Sequence, residues 1–186
     1  ADTYSISRPL LLAELFGGAD SFTTTSRIGI LDTGRGADDV VLKGEAKFVS
    51  LGRGADTLEA FESVKKIDAG KGHDTVILHA DADAVHLGKG RDSLTVYEMV
   101  EHVDGGRGKD TMDFAREAGA FDIAVEGNAF IFIERFTREE MRVENVETFV
   151  FEDKTYSAKE LKEAFGDTTD PFIQVGGGTQ VVTIND

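Results

Sequence analysis

Six aspartates recur along this chain at intervals of 18 residues, and five of them end the same short motif. The motif sets a cation between two glycines and places the aspartate two residues after the second glycine, as in Gly52-Arg53-Gly54-Ala55-Asp56. Carboxylate oxygens are ligands that hard cations such as Ca²⁺ prefer. The repetition therefore indicates a row of cation sites along the molecule. The six aspartates are Asp20, Asp38, Asp56, Asp74, Asp92 and Asp110.

The charge balance of the chain points to the same class of ligand. Its 186 residues include 35 acidic and 20 basic side chains, which gives a net charge of -15. This excess argues against nucleic acid or an anionic membrane surface as the main partner and favours cations. The chain has no cysteine, so it has neither a disulfide framework nor a thiolate metal site.

The apolar residues indicate how the aspartates are positioned. Pairs of apolar residues two positions apart return every nine residues, as Val40 and Leu42 are followed by Val49 and Leu51. A spacing of two is typical of short strands with one buried face, and a long fixed repeat is typical of a solenoid. The stretch from one aspartate to the next is therefore predicted to be one turn with two strands and two bends. Stacked turns would form two facing parallel sheets within one domain.

In such a stack the aspartates of successive turns lie one strand spacing apart, about 4.8 Å. Two ionised carboxylates at that separation repel by about 3.5 kcal/mol at an effective dielectric constant of ~20. Because whole domains are stable by only about 5–15 kcal/mol, such a ladder needs compensation. A divalent cation between successive aspartates would reverse the sign of the interaction. Aspartate and glycine are also common turn residues for local reasons, so one copy alone would predict a plain turn.

The arrangement Gly-x-Gly-x-Asp-x-apolar resembles the repeats-in-toxin (RTX, hemolysin-type) family of calcium-binding β-rolls over roughly residues 16–156. The stretch VENVETFVFEDKTYSAKEL, residues 143–161, resembles the segment that commonly follows such repeats. The resemblance implies an all-β fold: a right-handed parallel β-roll, or β-solenoid, with 18 residues per turn, short capping helices and a C-terminal β cap. It also implies that each ion lies between two turns and takes a carboxylate oxygen from each aspartate and carbonyl oxygens from the glycine bends. The glycines implied in these metal sites are Gly34, Gly36, Gly52, Gly54, Gly70, Gly72, Gly88, Gly90, Gly106 and Gly108.

Departures from the family pattern place the predicted sites on one edge of the roll. The leading glycine of the family's double glycine survives only as Gly105, and the bends of the other half-turn cannot build the same oxygen cage. We therefore expect four to five Ca²⁺ ions in one row, because six aspartates leave five intervals and Phe16 replaces a glycine at the first. In the other half-turn, the position equivalent to the aspartate holds Lys47, Lys65, Asp83 and Glu101.

A row of cations lies between the paired glycines of the motifs, at Arg35, Arg53, Lys71, Lys89 and Arg107. Their head groups are expected to point to solvent while their stems lie along the bend. Two interpretations stay open. In the first, the row is a solvated edge that offsets the charge of the acidic ladder, and each exposed ion pair contributes only about 0–1 kcal/mol. In the second, the row is a linear basic strip that binds an anionic polymer or partner.

The ends of the single domain are expected to close the solenoid as caps. The N-terminal cap is predicted to be helical, because Ser7 and Pro9 precede the apolar run LLLAELF. The predicted segments are a helical cap at 1–17, the repeats at 18–121, capping strands and a helix at 122–166, and a tail or last strand at 167–186.

Two positions define the expected C-terminal cap. Ser157 and Glu160 predict a capping box for a helix that ends near Gly166. Asn128 falls one repeat interval after Asp110 and is the expected next position of the ladder, where the ion row should fade.

Two functions from different classes are predicted. The resemblance implies a calcium-binding RTX-type module of an exported bacterial protein. Such a module would be secreted without an N-terminal signal peptide through a type I export machinery, and it would fold on binding Ca²⁺. The alternative is a carbohydrate- or surface-binding, adhesin-like module that uses the roll as a scaffold. Its contact with an anionic glycan or cell surface would be the basic strip or an apolar patch near Phe130 and Phe132.

No catalytic constellation is found in the sequence. The chain has no nucleophile elbow or metalloprotease motif, and its four histidines share no spacing that would bring them together. We therefore expect it not to be an enzyme, although it could be the non-catalytic part of a larger toxin, protease or other exported enzyme. No stretch is long and apolar enough to predict a membrane span.

Overall fold

The strands of this chain are short and recur twice per turn, as the apolar spacing predicts. The computed structural model describes residues 2–166, which form a parallel β-solenoid of about six turns with 18-residue spacing. A 3₁₀ turn at Ala118–Ala120 and one α-helix, α1 (Ala158–Phe165), occur near the C-terminal end of this part. The strands are β1 (Thr3–Ile6), β2 (Leu10–Glu14), β3 (Ser21–Thr24), β4 (Ile28–Asp32), β5 (Asp39–Leu42), β6 (Ala46–Ser50), β7 (Arg53–Gly54), β8 (Thr57–Ala60), β9 (Val64–Asp68), β10 (Lys71–Gly72), β11 (Thr75–Leu78), β12 (Ala82–His86), β13 (Lys89–Gly90), β14 (Ser93–Val96), β15 (Val100–Asp104), β16 (Arg107–Gly108), β17 (Thr111–Asp113), β18 (Phe121–Glu126), β19 (Ala129–Glu134), β20 (Glu140–Glu144), β21 (Thr148–Val150) and β22 (Thr155–Ser157).

Two main sheets face each other across the core. Sheet A holds the strands that follow each motif aspartate, in the order β1-β3-β5-β8-β11-β14-β17-β21-β22. Sheet B holds the strands of the other half-turn, in the order β18-β19-β20-β15-β12-β9-β6-β4-β2. Residues of the same repeat position pair across turns, as Val40 pairs with Leu58 and Leu58 with Val76. A small third sheet, β16-β13-β10-β7, runs along the glycine motifs.

Apolar residues two apart fill the space between the sheets. Val40 and Leu42 of sheet A, and Val49 and Leu51 at the end of β6, are 0% exposed. Full burial of one such side chain contributes about 1.5–3 kcal/mol, and each turn adds a further apolar layer. The parallel β-solenoid predicted from the sequence is therefore confirmed.

The first turn is made of strands, so the predicted helical cap at residues 1–17 is wrong. β1 pairs in parallel with β3, and β2 pairs with β4 through Leu10 opposite Ile28. Ser7 and Pro9 lie in the connection between β1 and β2. An isolated helix of this length is marginal in water, whereas the strand pairs with an existing sheet edge.

The repeat is interrupted once, between β17 and β21. Asp110 bonds to Glu147, 37 residues later, where the earlier turns place the partner 18 residues away. The additional residues form the antiparallel hairpin β18–β19, which continues into β20 and extends sheet B. Phe130 and Phe132 belong to this hairpin and are 6% and 0% exposed. The apolar surface patch expected near these two residues is therefore wrong, because their rings pack in the core.

The helix α1 closes the C-terminal end of the described chain. The backbone N–H of Glu160 donates to Ser157 Oγ at 3.2 Å, and the N–H of Ser157 donates to Glu160 Oε2 at 2.8 Å. This capping box confirms the one predicted from the sequence. Leu161 and Phe165 pack against the core. The predicted tail or last strand at 167–186 lies outside the described residues.

None of the helices in residues 2–166 is long and apolar enough to cross a membrane.

Candidate metal-binding edge

Stacked glycine bends form the edge that connects sheet B to sheet A, here called the glycine-aspartate edge (residues 16–20 and their equivalents in each later turn). In one bend, Gly52 and Gly54 have φ angles of +84° and +154°. A Cβ added to Gly54 would lie 1.5 Å from the carbonyl oxygen of Gly36 in the preceding turn, so no side chain fits. The same close approach recurs at Gly36, Gly72, Gly90 and Gly108.

Each motif aspartate uses one carboxylate oxygen to join two turns. The backbone N–H of Asp38 donates to Oδ1 of Asp56 at 2.8 Å, and that of Asp56 donates to Oδ1 of Asp74 at 2.9 Å. The same bond links each successive pair from Asp20 to Asp110. Because these bonds fix the orientation of each carboxylate, the six side chains form one ordered column, here called the aspartate ladder.

The second oxygen of each ladder carboxylate is buried and unpaired. The aspartates themselves are 0–3% exposed. A buried charge without a partner costs several kcal/mol, so six such oxygens in register form an arrangement that a bound cation would stabilise. Within residues 2–166, no hydrogen-bond partner is found for Oδ2 of Asp20, Asp38, Asp56, Asp74, Asp92 and Asp110.

Burial raises the pKa of several ladder carboxyls. The pKa of Asp74 is raised to about 7 and those of Asp56 and Asp110 to about 6, and the pKa of Asp92 is raised as well. Desolvation is the main cause, and the hydrogen bond from the preceding backbone N–H acts in the opposite direction. A cation that favours the ionised form would lower these pKa values again. In the absence of a cation, the raised pKa values bring Asp56, Asp74 and Asp110 close to protonation near neutral pH.

The donor set fits a hard divalent cation that takes part of its ligands from the backbone. Among the described residues, no group of three or more His, Cys, Asp or Glu side chains is placed to hold a metal. Two aspartates of adjacent turns offer two carboxylates per interval, so further ligands would have to be carbonyl oxygens of the glycine bends. Ca²⁺ accepts about 6–8 oxygen ligands in flexible geometry, whereas Mg²⁺ requires a near-ideal octahedron. The ladder therefore fits Ca²⁺ better than Mg²⁺.

The ladder extends beyond the motif aspartates at both ends. The backbone N–H of Asp2 donates to Oδ1 of Asp20 at 2.7 Å, and that of Asp110 donates to Oε2 of Glu147 at 2.7 Å. The expectation that Asn128 is the next position is wrong, because Asn128 lies in the turn between β18 and β19. Glu147 takes that position instead.

A signal for Glu147 is present in the sequence but not at the repeat interval. Phe149 and Phe151 follow Glu147 at the spacing at which Val40 and Leu42 follow their aspartate. Both phenylalanines are buried in the core, at 0% and 3% exposure. The acidic residue could be found from this local spacing, whereas a search at the repeat interval passes over it because of the hairpin insertion.

The opposite edge, here defined by residues 43–47 and their equivalents in later turns, is organised differently. Lys65 Nζ lies 3.5 Å from Asp83 Oδ2, and Ser63 Oγ donates to Asp81 Oδ1 at 2.6 Å. These acidic side chains are exposed and have partners, so they do not form a second buried ladder. The substituted positions Lys47, Lys65, Asp83 and Glu101 are all exposed.

Aromatic rings stack along the same opposite edge. The ring of His79 lies between those of Phe61 and Tyr97, at centroid separations of 4.5 and 4.8 Å. His86 and His102 also come close, with ring centroids 6.1 Å apart, so the expectation that no histidines meet is wrong for this pair. The stack of three rings arises from equivalent positions, whereas His86 and His102 lie on the neighbouring strands β12 and β15 of sheet B, where His102 pairs with Ala84.

Comparison with known proteins adds no relative: no family model matches the chain, and no curated protein matches its sequence. The fold and the edge nevertheless define a class of protein. It is a parallel β-solenoid of 18-residue turns whose glycine-aspartate edge carries a ladder of buried carboxylates.

Proposed function

We propose that this chain is a calcium-binding β-roll module of the RTX type, part of an exported bacterial protein, that folds and is stabilised on binding Ca²⁺. The observation that carries the proposal is the column of buried Oδ2 atoms without hydrogen-bond partners in the aspartate ladder. The glycine bends add support, because their close approach brings backbone carbonyls of adjacent turns to the same edge.

The six aspartates from Asp20 to Asp110 leave five intervals between successive turns. Four to five of these intervals would each hold one ion. Successive aspartates would hold each ion together with carbonyl oxygens of the paired glycines. Bound Ca²⁺ supplies positive charge to a row of like charges. The protein's own residues fix the carboxylates through their Oδ1 bonds, exclude water from Oδ2, and hold the turns at one strand spacing.

Ion binding would be linked to folding because the complete site exists only when turns are stacked. A ligand that binds the folded state alone stabilises it by about 2.7 kcal/mol when its concentration is 100 times its Kd. Four to five such sites would together contribute about 11–14 kcal/mol, which is comparable to the whole stability of an ordinary domain, about 5–15 kcal/mol. Extracellular calcium modules typically bind in the 10⁻⁴–10⁻³ M range. The chain would therefore stay unfolded at low cytoplasmic Ca²⁺, pass a type I export machinery, and fold outside the cell.

A calcium titration tests this function. Chelator-treated protein at low salt is titrated with Ca²⁺ while circular dichroism follows strand content and calorimetry follows the heat of binding. We expect cooperative folding with Ca²⁺ and a much smaller effect of Mg²⁺ at equal concentration. Retained strand signal and cooperative melting in chelator would exclude the folding switch. Absence of a binding heat would exclude calcium binding itself.

A further inference from the structure

Basic side chains form two parallel columns on the outer surface of the glycine-aspartate edge. One column places Lys71, Lys89 and Arg107 opposite one another in β10, β13 and β16. The other column lies two residues later in each motif, where the backbone N–H of Arg91 donates to Nδ1 of His73 at 2.9 Å. All six side chains are exposed. The set is named the basic block and consists of Lys71, His73, Lys89, Arg91, Arg107 and Lys109.

The cations of the basic block lack the partners that other cations of this chain have. Arg27, Arg116 and Arg142 each form an ion pair with a glutamate. Among the described residues, no member of the block takes part in an ion pair. Like charges about 4.8 Å apart repel. A chain with net charge -15 thus concentrates unpaired positive charge on one narrow edge, and an anionic ligand would relieve the repulsion.

The first column continues beyond the block as Arg53 and Arg35, along an open groove of about 450 Å³. Asp32 and Asp68 line the groove as well, and Phe16 lies at its end. Phe16 is 78% exposed and has a φ angle of +65°, which is rare for a bulky residue. Little in the described part of the chain covers this ring. A ligand that follows the groove would cover it.

We propose that the basic block and this groove bind one chain of an acidic polysaccharide, with sulfate or carboxylate groups on successive sugars. Lysine and arginine donate charge-assisted hydrogen bonds to such groups. The in-register columns repeat their cations along a line, as a linear polymer repeats its anions. At the end of the groove, the apolar face of a sugar ring would pack on Phe16.

The surroundings of the block favour a narrow polymer over a wide polyanion. Asp32, Asp68 and Asp104 flank the cation columns on the sheet B side. A nucleic acid duplex or a planar anionic membrane would bring further negative charge against these side chains and the acidic remainder of the chain. Single-stranded nucleic acid is usually held by successive aromatic platforms. Along the described part of this edge such rings are limited to Phe16 and the imidazole of His73, which lie about three turns apart and so are not successive platforms.

The test measures binding of the whole chain to heparin oligosaccharides, with uncharged dextran as the control ligand. It uses the buffer, with or without Ca²⁺, in which the strand signal is complete, so its failure leaves the outcome of the calcium titration unaffected. We expect saturable binding to heparin that weakens from about 50 to 200 mM salt, as counterion release requires. Equal binding to dextran would overturn the proposal.

Two matched variants locate the site. The triple variant Lys89→Gln, Arg91→Gln and Arg107→Gln should bind at least about 10-fold more weakly and lose about 3 units of salt slope. The control variant Lys47→Gln, Lys65→Gln and Lys66→Gln changes the net charge equally, away from the block, and should bind within about twofold of the wild type. Equal affinities of the two variants would contradict the proposal.

Phe16→Gly separates ligand contact from folding. Glycine occupies the equivalent position in later motifs and tolerates the positive φ, so the variant should be at least as stable as the wild type. We expect it to bind heparin several-fold more weakly. Unchanged affinity would remove Phe16 from the site. Tighter binding of oligo-dT or of phosphatidylserine vesicles than of heparin at equal salt would overturn the assignment to a polysaccharide.

Discussion

The two edges of the solenoid come from one repeat yet join their turns in different ways. On the glycine-aspartate edge, each ladder carboxylate accepts one backbone N–H and keeps its second oxygen buried without a partner. On the opposite edge, stacked rings such as Phe61 and His79 and exposed pairs such as Lys65 with Asp83 connect the turns. The glycine-aspartate edge has the more regular geometry. It also carries the larger electrostatic cost, because its buried Oδ2 atoms have no partner.

The comparison shows which edge depends on a ligand. Exposed ion pairs contribute about 0–1 kcal/mol and aromatic pairs about 0.5–1.5 kcal/mol beyond burial. The opposite edge is therefore complete without a ligand and adds modest stability. The ladder costs energy whenever it is ionised, so it stabilises the fold only with a cation or with bound protons.

The largest difference between the edges is expected for Asp74→Asn against Asp83→Asn in the presence of Ca²⁺. Asp74 borders two intervals of the ladder, so its loss should remove about two ions and, at 100 times the Kd, about 5 kcal/mol of stability. Asp83→Asn breaks only an exposed pair and should cost less than about 1 kcal/mol. Calorimetric stoichiometry and urea unfolding give both values. In chelator at pH 8 the Asp74→Asn penalty should disappear, and a penalty that persists there would contradict the ladder scheme.

The next largest effect is expected for Gly54→Ala, which tests the close approach of the glycine bends. The new Cβ would lie 1.5 Å from a backbone oxygen, at a φ of +154°. Strain and overpacking together should cost more than about 3 kcal/mol. Gly127→Ala is the matched control, since Gly127 also has a positive φ but no atom within 4 Å of the added Cβ. It should cost only about 1–2 kcal/mol in urea unfolding, and equal costs would show that the approach is not tight.

A smaller effect is expected from pH in the absence of Ca²⁺. The pKa values of Asp56, Asp74 and Asp110 are raised in the folded state to about 6, 7 and 6 from the ordinary value of 3.8. Between the ordinary pKa of 3.8 and the raised values, the folded state binds more protons than the unfolded state. The free energy of unfolding therefore falls as pH rises through this range. The urea midpoint in chelator should drop between about pH 4 and 7. Saturating Ca²⁺ should remove the drop, and a midpoint that rises with pH in chelator would contradict the assignment.

The smallest effect is expected on the opposite edge, for His79→Ala. Loss of the ring between Phe61 and Tyr97 should cost about 1 kcal/mol. The cost should be equal with Ca²⁺ and with chelator, because this edge has no ladder. Lys43→Ala, an unstacked residue at the equivalent position, is the control and should cost less. Urea unfolding under the two conditions checks both, and a calcium-dependent cost would show that the edges are coupled.

The sequence specifies the repeat more clearly than the ends. The apolar pair Val40 and Leu42 recurs in each of the next four turns, and this periodicity suffices to predict the two sheets. The run LLLAELF favours a helix by local composition, yet Leu10 pairs with Ile28 at the edge of sheet B. A pairing between distant residues decides this segment, and local propensity does not report it.

The candidate ladder was likewise only partly predictable. Regular spacing places Asp56 and Asp74 one turn apart, but it cannot show that Oδ1 accepts a backbone N–H while Oδ2 is left without a partner. Glu147 escapes a search by period because an inserted hairpin separates it from Asp110. Phe16 stands out in sequence as a replaced glycine, whereas its exposure and positive φ are visible only in the structure.

The most direct test of the central claim is an anomalous difference map from crystals grown with Ca²⁺. We predict a single row of ions between Asp20 and Asp110, with each ion between two adjacent turns. Because the six aspartates leave five intervals, the row should contain four to five ions. No ion should lie along the edge that carries Lys47 and Lys65. A map without ions at the ladder, or with ions along both edges, would contradict the account.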